Sequence, residues 1–559
     1  MASNSPDCPQ TPPNSPDHGN AHYQLAPDFA MDILRASDLL MCVTVCADVN
    51  KPKITQLAVS AVKELSQMAV EQDPLWLLGP DGESSILNDI EYKKRFGPLD
   101  ATLEEIIKML KTEGPIQLPN LNDTDKVLTE AAQYEDLSLL LGPKPFQAEA
   151  SRATELVFMN PIELVNVFMD VDQWSILFAN IVSNATVLGV LSTGEQKSPN
   201  GALNVMKVEF HVPSPLVQTR ENYFARYCKQ LAPETWVVVD VSLESIFPSP
   251  AIKYQRKPSG CLIQGMPNGY SKVTWVEHVE ADNGSLHSLF TQLVSSGFAF
   301  GAKRWVATLA RQLDRLAAFM DDTATALPAG RRNLMRLADR MMRGYYGSIS
   351  ASCESPWRRL PMTGAEGIMV MASYNLDDPG TPRGDALTVA TSVWLPVPPK
   401  DVFDFLRDGS ARNQWDLLSN GHVTRELVRI PTGRDPKNCV SVVAVEPEPN
   451  NIMIFYLQEC YTDPTGSYVV YAPIDAFAMN CILECGNPEI VQILASGFAI
   501  LPDRPTVVGE EMGGSILTVS FQIMNEYSST VEYLPPNSVL TIYKLITETV
   551  SHIMDAVIT

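Results

Sequence analysis

Positive charge is scarce in this chain. Lys and Arg number 42 against 65 Asp and Glu over 559 residues, a formal net charge of −23. Nucleic-acid affinity draws largely on Lys and Arg displacing counterions, so a surface this acidic repels phosphate backbones and direct DNA binding is not expected. The same charge disfavours broad adhesion to anionic membranes, yet says nothing against an uncharged or zwitterionic lipid held in a cavity. Long apolar runs are missing too. Near the N-terminus the longest, Leu39 to Ala47, is far too short to span a bilayer, and the leading MASNSPDCPQTPPNSPDHGN has no apolar stretch of the signal-peptide kind. Histidine is rare, and His18, His22, His211, His278, His287, His422 and His552 show no metal-ligand spacing. No GxSxG elbow, HExxH, P-loop or GxGxxG is present. Neither catalysis nor a cofactor or metal is expected. The ten cysteines, scattered from Cys8 to Cys485, show no repeated CxxC spacing. Cys42 with Cys46 and Cys481 with Cys485 have few histidines nearby, so all are read as free thiols in a reducing compartment. These absences fit a soluble intracellular protein.

What is present is globular. Hydrophobic residues make up 45% and Pro (42) outnumbers Gly (31), which favours turns and proline-punctuated strands over a helical bundle. The length suits two or three domains. The expected organisation is an unstructured or linker segment over 1–50, a first domain over 51–322, a linker with a basic helix over 323–385, and a second domain over 386–559. Residues 1–28 lack the apolar content to fold. From Ile54, the positions Leu57, Ala58, Ala61, Val62, Leu65, Met68 and Ala69 recur at helical spacing. A weaker helical pattern spans Leu103 to Leu110. Asn160 before Pro161 is an N-cap followed by proline at the first helical position, opening two short helices that divide near Asp170.

Strand-like runs follow: Thr186–Leu191, Ala202–Val212, Asn222–Lys229, Thr235–Ser242, Gly260–Met266 and Tyr270–Glu280, the last two joined by Pro267-Asn268-Gly269. A long helix is expected from Leu286 to Met320, interrupted by Gly297 and Gly301. A curved sheet around such a helix encloses space, which side chains either fill or leave for a ligand. Arg331 to Tyr346 reads as a basic amphipathic helix. Then VPPKDVFDFLRDGSARNQWDLLSNG repeats the grammar of the Asn160 segment: proline, a helix carrying Val-x-x-Phe, an Asp, and a Trp one short helix later. Further strand-like runs (Val423–Ile430, Cys439–Val445, Ile452–Cys460, Gly466–Pro473, Ser515–Met524) and a closing helix, Ser538–Ile558, complete a second copy of the same pattern. Chance similarity of element order is the alternative.

The phrases NPIELVNVFMDVDQWSILF, NGALNVMKVEFHVPSPLVQTRENYFARYCKQ, RKPSGCLIQGMPNGYSKVTWVEH and SGFAFGAKRWVATLARQ closely resemble the START domain of plant class IV homeodomain–leucine zipper transcription factors. LPVPPKDVFDFLRDGSARNQWDLLSNG, GSYVVYAPID and SGFAILPDRP look like the START-adjacent region of the same family. The resemblance covers roughly Ile54 to Thr559. It implies an α+β helix-grip fold, a curved antiparallel sheet around a long C-terminal helix, followed by a second START-like domain. Family members carry a homeodomain and a zipper ahead of START. The first 50 residues here show neither a basic recognition helix nor a heptad series, so what the resemblance implies for DNA binding does not transfer.

For START domains the resemblance implies a hydrophobic ligand such as a sterol, phospholipid or ceramide, often above a buried carboxylate–arginine pair. It further implies transcription-factor partners, a regulatory role and nuclear localisation, with the cytoplasm as alternative. Glu209 and Arg226 are the residues this sequence offers for the pair. Burying either alone is costly, so they must meet each other or a polar head; alternation leaves open that both face solvent. Phe210, Tyr223, Trp275, Phe298, Phe300 and Trp305 are candidate wall or lid positions, with plain core as the alternative for each. Regulatory module, lipid-transfer protein and ligand-free structural module are the three functions weighed.

Overall fold

The computed structural model describes residues 36–79, 85–97, 146–248, 253–320, 328–352, 355–417, 424–445, 454–484, 486–504, 513–525 and 534–558. Residues 1–28, Leu103–Leu110 and Cys485 lie outside the described residues. Within the segment expected to be unstructured or linker, whose stretch from Phe29 to Val49 also reads as a short amphipathic piece, Ala36–Cys46 forms a helix, α1. Next comes α2 (Lys51–Val70), which buries Ile54, Ala58, Ala61, Val62, Leu65, Met68 and Ala69, nearly the stripe its spacing predicts. Each large side chain fully removed from water there contributes about 1.5–3 kcal/mol.

The first sheet is built from β1 (Trp76–Leu78), β2 (Ser85–Leu87), β3 (Gln147–Val157), β4 (Val182–Glu195), β5 (Ser198–Phe210), β6 (Arg220–Ala232), β7 (Thr235–Ser242), β8 (Tyr254–Arg256), β9 (Ser259–Gly265) and β10 (Ser271–Ala281). Its order is β1-β2-β3-β10-β9-β7-β6-β5-β4, with β8 pairing β10. Every pairing is antiparallel, and β4 slips register against β5 at four places, bulges that curl the sheet. Helix α3 (Asp89–Phe96) follows β2. Between β3 and β4 stand α4 (Pro161–Met169) and α5 (Val171–Leu177). Asn160 Oδ1 accepts from the Glu163 amide at 2.9 Å, the cap the sequence predicts, and Asp170 Oδ1 accepts from the Gln173 amide at 3.0 Å where the two helices are expected to divide. Asn268 and Gly269 take φ of 66° and 78° in the turn between β9 and β10.

The helix expected over Leu286–Met320 is not continuous. A single turn at Ser288–Phe290 and α6 (Thr291–Ser295) precede an irregular stretch, and α7 begins only at Ala302, ending at Met320. Gly297 sits at φ +78°, and a Cβ on Gly301 would lie 2.2 Å from the Gly297 carbonyl oxygen. The chain doubles back tightly there, which an unbroken helix forbids.

The second unit contains α8 (Pro328–Ser348), β11 (Arg358–Arg359), β12 (Ile368–Asn375), β13 (Gly384–Leu395), α9 (Pro399–Arg407), α10 (Arg412–Trp415), β14 (Thr424–Pro431), β15 (Cys439–Val445), β16 (Ile454–Asp463), β17 (Gly466–Asp475), α11 (Ala476–Leu483), β18 (Ser496–Pro502), β19 (Ser515–Met524) and α12 (Pro536–Ile558). Its order, β11-β12-β13-β19-β18-β17-β16-β15-β14, matches the first sheet strand for strand once β8 is set aside. The repeat extends to burial. Leu164, Val165 and Phe168 of α4 correspond to Val402, Phe403 and Leu406 of α9, and Asp170 and Asp408 each cap the following turn. The match runs one residue out of step with the Val-x-x-Phe phrase, since Phe405 is only partly buried.

One boundary needs correction. Residues 323–385 do not form a linker around a basic helix. Buried Leu334, Met335, Leu337, Ala338, Met341, Tyr345 and Tyr346 press α8 onto the outer face of the second sheet, as α2 covers that of the first. β12 then joins the sheet itself, a strand hidden from pattern reading because its burial does not alternate cleanly.

Candidate functional site

Alternation along the strands decides what faces α7. On the concave side stand Met206, Val208 and Phe210 of β5, Phe224 and Cys228 of β6, Trp236 and Val238 of β7, and Val273 and Trp275 of β10. Leu203, Val205, Tyr223, Ala225 and Val276 face the other way, toward α1 and α2.

The concave side is filled. Trp305 of α7 is stacked between Trp275 (4.7 Å between centroids, 9° between planes) and Trp174 (5.9 Å, 15°). Phe178 meets the Trp305 ring edge-on at 4.8 Å and Phe210 at 5.9 Å. Beside the stack runs a buried ionic ladder. Arg226 donates to both carboxylate oxygens of Asp240 at 2.8 Å and to the Phe168 carbonyl at 2.9 Å, with its guanidinium 3.9 Å over Trp174. Arg256 lies 3.7 Å from Asp240 and donates to Glu277 at 2.6 Å, whose carboxylate also accepts from Trp275 Nε1 at 2.8 Å. Burial raises the Glu277 carboxyl above its usual value, against the opposing pull of Arg256 and the indole. Two guanidinium groups facing two carboxylates leave the ladder neutral, the condition under which such groups tolerate a dry interior.

This corrects the pairing read from sequence. Arg226 meets Asp240, its direct neighbour across β6 and β7, and not Glu209. Glu209 is one residue from inward-facing Phe210, so the two cannot share a face. Its carboxylate instead accepts from the hydroxyls of Ser183 (3.0 Å), Ser352 (2.9 Å) and Thr219.

Open space lies in a cleft of about 490 Å³ lined by Leu164, Ile176, Leu313 and Arg315, between α4, α5, α7 and α8, and at the rim of the first sheet. A cavity of about 370 Å³ occupies the loop end of the first sheet, bounded by the start of β6, the end of β7, and the segment from Ala281 to Phe300. Its apolar lining includes Leu39, Val43, Val217, Tyr223, Leu243, Phe247, Leu286, Val294 and Phe300; Asn222, Ser242, Lys253 and Asn283 supply polar groups. Arg220 anchors the mouth. It grips Glu149 through two bonds of 2.7 and 2.8 Å, reaches Asn283 at 3.1 Å, and lies 3.9 Å over the Phe300 ring. Burial pushes the phenol of Tyr254, another lining residue, up to about 12. A cavity this size sits at the lower end of small-molecule pockets.

Of the predicted site residues, Tyr223 and Phe300 reach this cavity. Phe210, Arg226, Trp275 and Trp305 belong to the filled interior. Phe298 is buried under Lys303, and Glu209 lies outside both. Sequence reading missed Arg220, Tyr254, Asn283 and the contribution of α1. Arg220 stands in the quoted VQTRENYF phrase, but its partner Glu149 is 71 residues away on a strand not foreseen. Two histidines are buried in the fold: burial lowers His211 to about 4 and His278 to about 3, the latter edge-on to Tyr92 at 4.6 Å. Among the described residues no cluster of His, Cys, Asp and Glu is arranged to hold a metal ion, and no helix is long and apolar enough to cross a membrane.

Comparison with known proteins agrees with this architecture. The family model "START domain" matches residues 56–315, and "PDF2-like, C-terminal domain" matches residues 327–558. The homeobox-leucine zipper protein HDG3 of Arabidopsis thaliana is 39% identical over 524 residues, covering 91% of this chain and 66% of the relative. HDG11 of the same plant is 36% identical, covering 91% and 67%, and ROC4 of Oryza sativa subsp. japonica 37%, covering 91% and 62%. The chain thus spans between about three-fifths and two-thirds of these relatives' length. Among solved structures, human StAR-related lipid transfer protein 5 aligns at 15% identity and a TM-score of 0.24, covering 41% of this chain and 96% of that one. Two sheets of one topology, matched by two adjoining family models and by relatives along nine-tenths of the sequence, settle the assignment: the chain belongs to the plant class IV homeobox–leucine zipper family, of which it carries the START domain and the PDF2-like C-terminal domain.

Proposed function

We propose that this chain is a non-enzymatic ligand-binding regulatory module, holding a compact apolar or amphipathic ligand in the rim cavity of its START domain and altering transcription-factor partners in the nucleus through it. The observation that carries this reading is the cavity of about 370 Å³, apolar on most of its wall and roofed by the broken Ala281–Phe300 segment. A sterol or a single acyl chain suits that space better than a diacyl lipid, since the volume beneath α7 is taken by Trp174, Trp275 and Trp305. Apolar contacts supply the affinity and Arg220, Asn222 and Asn283 orient the polar end.

Native mass spectrometry of the purified chain, with lipid extraction, tests the reading. A bound mass of one ligand per chain is expected, and Leu286→Trp, which fills the cavity from its roof, should abolish it. Retention of the ligand by that variant would place it elsewhere, and absence of any bound or added lipid would sink the proposal. The tryptophan-filled interior favours a second reading, a structural interaction module without ligand, which that last result would support. Rapid transfer of ligand between vesicles would instead mark a carrier.

A further inference from the structure

Helix α7 is buried on both sides. Trp305, Val306, Leu309 and Leu313 face the first core. Arg304, Arg311 and Arg315 fall on one opposite stripe, since steps of seven and eleven residues from Arg304 return within roughly 20° of the same direction at about 100° per residue. That stripe meets the second sheet. Arg315 donates to both oxygens of Glu459 on β16 at 2.9 and 3.0 Å, and lies 3.4 Å from Asp339 of α8. Arg311 lies 3.8 Å over the Tyr461 ring and 3.6 Å from Asp463, a looser contact in which its Nε and Nη2 make no hydrogen bond. Tyr461 is in turn held by Tyr346 of α8, hydroxyl to hydroxyl at 2.6 Å. Glu459 and Asp463 share one face of β16 with Tyr461 between them, so the strand presents a fixed anionic and aromatic seat.

The roof of the rim cavity, from Leu286 through Val294 to Phe300, runs directly into α7 through Gly297 and Gly301. Opening that roof widely requires α7 to shift, and α7 is tethered by its arginines. We propose that the PDF2-like domain gates the START cavity, with Glu459 as the positioning residue that holds α7 closed through Arg315. The pairing is tight at Arg315 and slack at Arg311, whereas Arg304 at the glycine end donates to the carbonyls of His211, Ala299 and Asn180 in the first unit, so the second sheet's ionic hold on α7 is concentrated at Arg315. Anything that loosens the second sheet's hold on α7 therefore speeds ligand entry and exit. The inference rests on the cavity reading above, and its test separates the two.

The experiment compares the full chain with its Glu459→Gln and Glu459→Asp variants. Without ligand, hydrogen exchange followed by mass spectrometry reads the amides of Ala302–Met320. In Glu459→Gln these should exchange faster on the order of a hundredfold, as expected for breaking one side of a buried ion pair, while peptides of β17 and β19 keep their protection and Glu459→Asp restores most of it. Dissociation of the fluorescent fatty acid 11-(dansylamino)undecanoate is then timed. It should quicken about tenfold in Glu459→Gln, with association quickening in step so that Kd moves far less. Unchanged α7 exchange, or protection lost equally across the second sheet, overturns the gate. If the probe does not bind the unaltered chain, the cavity reading fails and the gating with it, while the exchange data still decide whether Glu459 holds α7.

Discussion

Replacing Trp305 by alanine probes the stack that fills the first interior. The side chain is 1% exposed and touches rings at 4.7, 4.8, 5.9 and 5.9 Å. A buried tryptophan truncated to alanine costs about 3–5 kcal/mol, and aromatic pairs add about 0.5–1.5 kcal/mol each beyond burial, so the upper end, about 5 kcal/mol, is expected here. With a urea slope of about 3 kcal/mol per M, the START transition should fall by about 1.7 M in unfolding followed by circular dichroism, and the later transition should stay put if the second unit unfolds separately. Trp305→Phe, which keeps a ring against Trp275, should lose less than half as much. The truncation also leaves a dry hole on the order of 150 Å³, large enough for a benzene-sized molecule. Benzene or indole should therefore raise the urea midpoint of the alanine variant and leave the unaltered chain alone. A midpoint shift under about 0.3 M, or equal stabilisation of both proteins by benzene, would refute the claim that three stacked indoles fill this interior.

Two further outcomes follow from buried charge. His211 and His278 are held neutral in the fold, with values lowered by burial to about 4 and about 3, whereas unfolded histidine binds its proton near 6.5. Their lowered folded values mean that stability is complete above about pH 6.5 and declines as pH falls toward the folded values, by about 2 kcal/mol per histidine between pH 7 and pH 5. Urea midpoints across that range, with His278→Gln flattening the slope, provide the check; a flat profile in the unaltered chain would contradict it. Arg226→Leu removes the bidentate partner of Asp240 and should cost about 3 kcal/mol by the same unfolding assay. Because Arg226 does not line the rim cavity, affinity for the dansylated fatty acid should stay within about threefold. A large loss of affinity with stability intact would move the polar-head site to Arg226.

The sequence made some of this architecture plain and hid the rest for identifiable reasons. The cap at Asn160, the division near Asp170, the Pro-Asn-Gly turn and the α2 stripe act over a few residues, so local chemistry suffices to read them. The repeated grammar at Pro399 and Trp415 likewise exposed the second unit. Strands β3, β12 and β18 escaped because their sides are not divided into a wet and a dry face: Gln147–Val157 is largely half-covered on both, and Ser496–Pro502 is buried almost throughout. The site was less legible still. Whether Arg226 meets Glu209 or Asp240 depends on register between strands, and alternation within one strand carries no information about its neighbour. The Leu286–Met320 segment reads as one helix interrupted by Gly297 and Gly301 because Leu289, Leu293, Phe300, Val306 and Leu309 are all apolar. Only the backbone at Gly297 reveals that they serve two different segments.

The chain has two curved shells of one topology, and their contents differ. The first encloses indoles and a string of alternating charges. In the second, the Arg412 guanidinium sits among the rings of Trp415, Tyr456 and Tyr471, at 5.0, 4.2 and 4.3 Å, and is fastened to Asp416 and Gln458. A cation caged in aromatics is poorly suited to yield its place to a hydrocarbon. Displacing that cation by an apolar ligand would break two hydrogen-bonding partnerships and three ring contacts at once, which the open mouth of the first unit does not require.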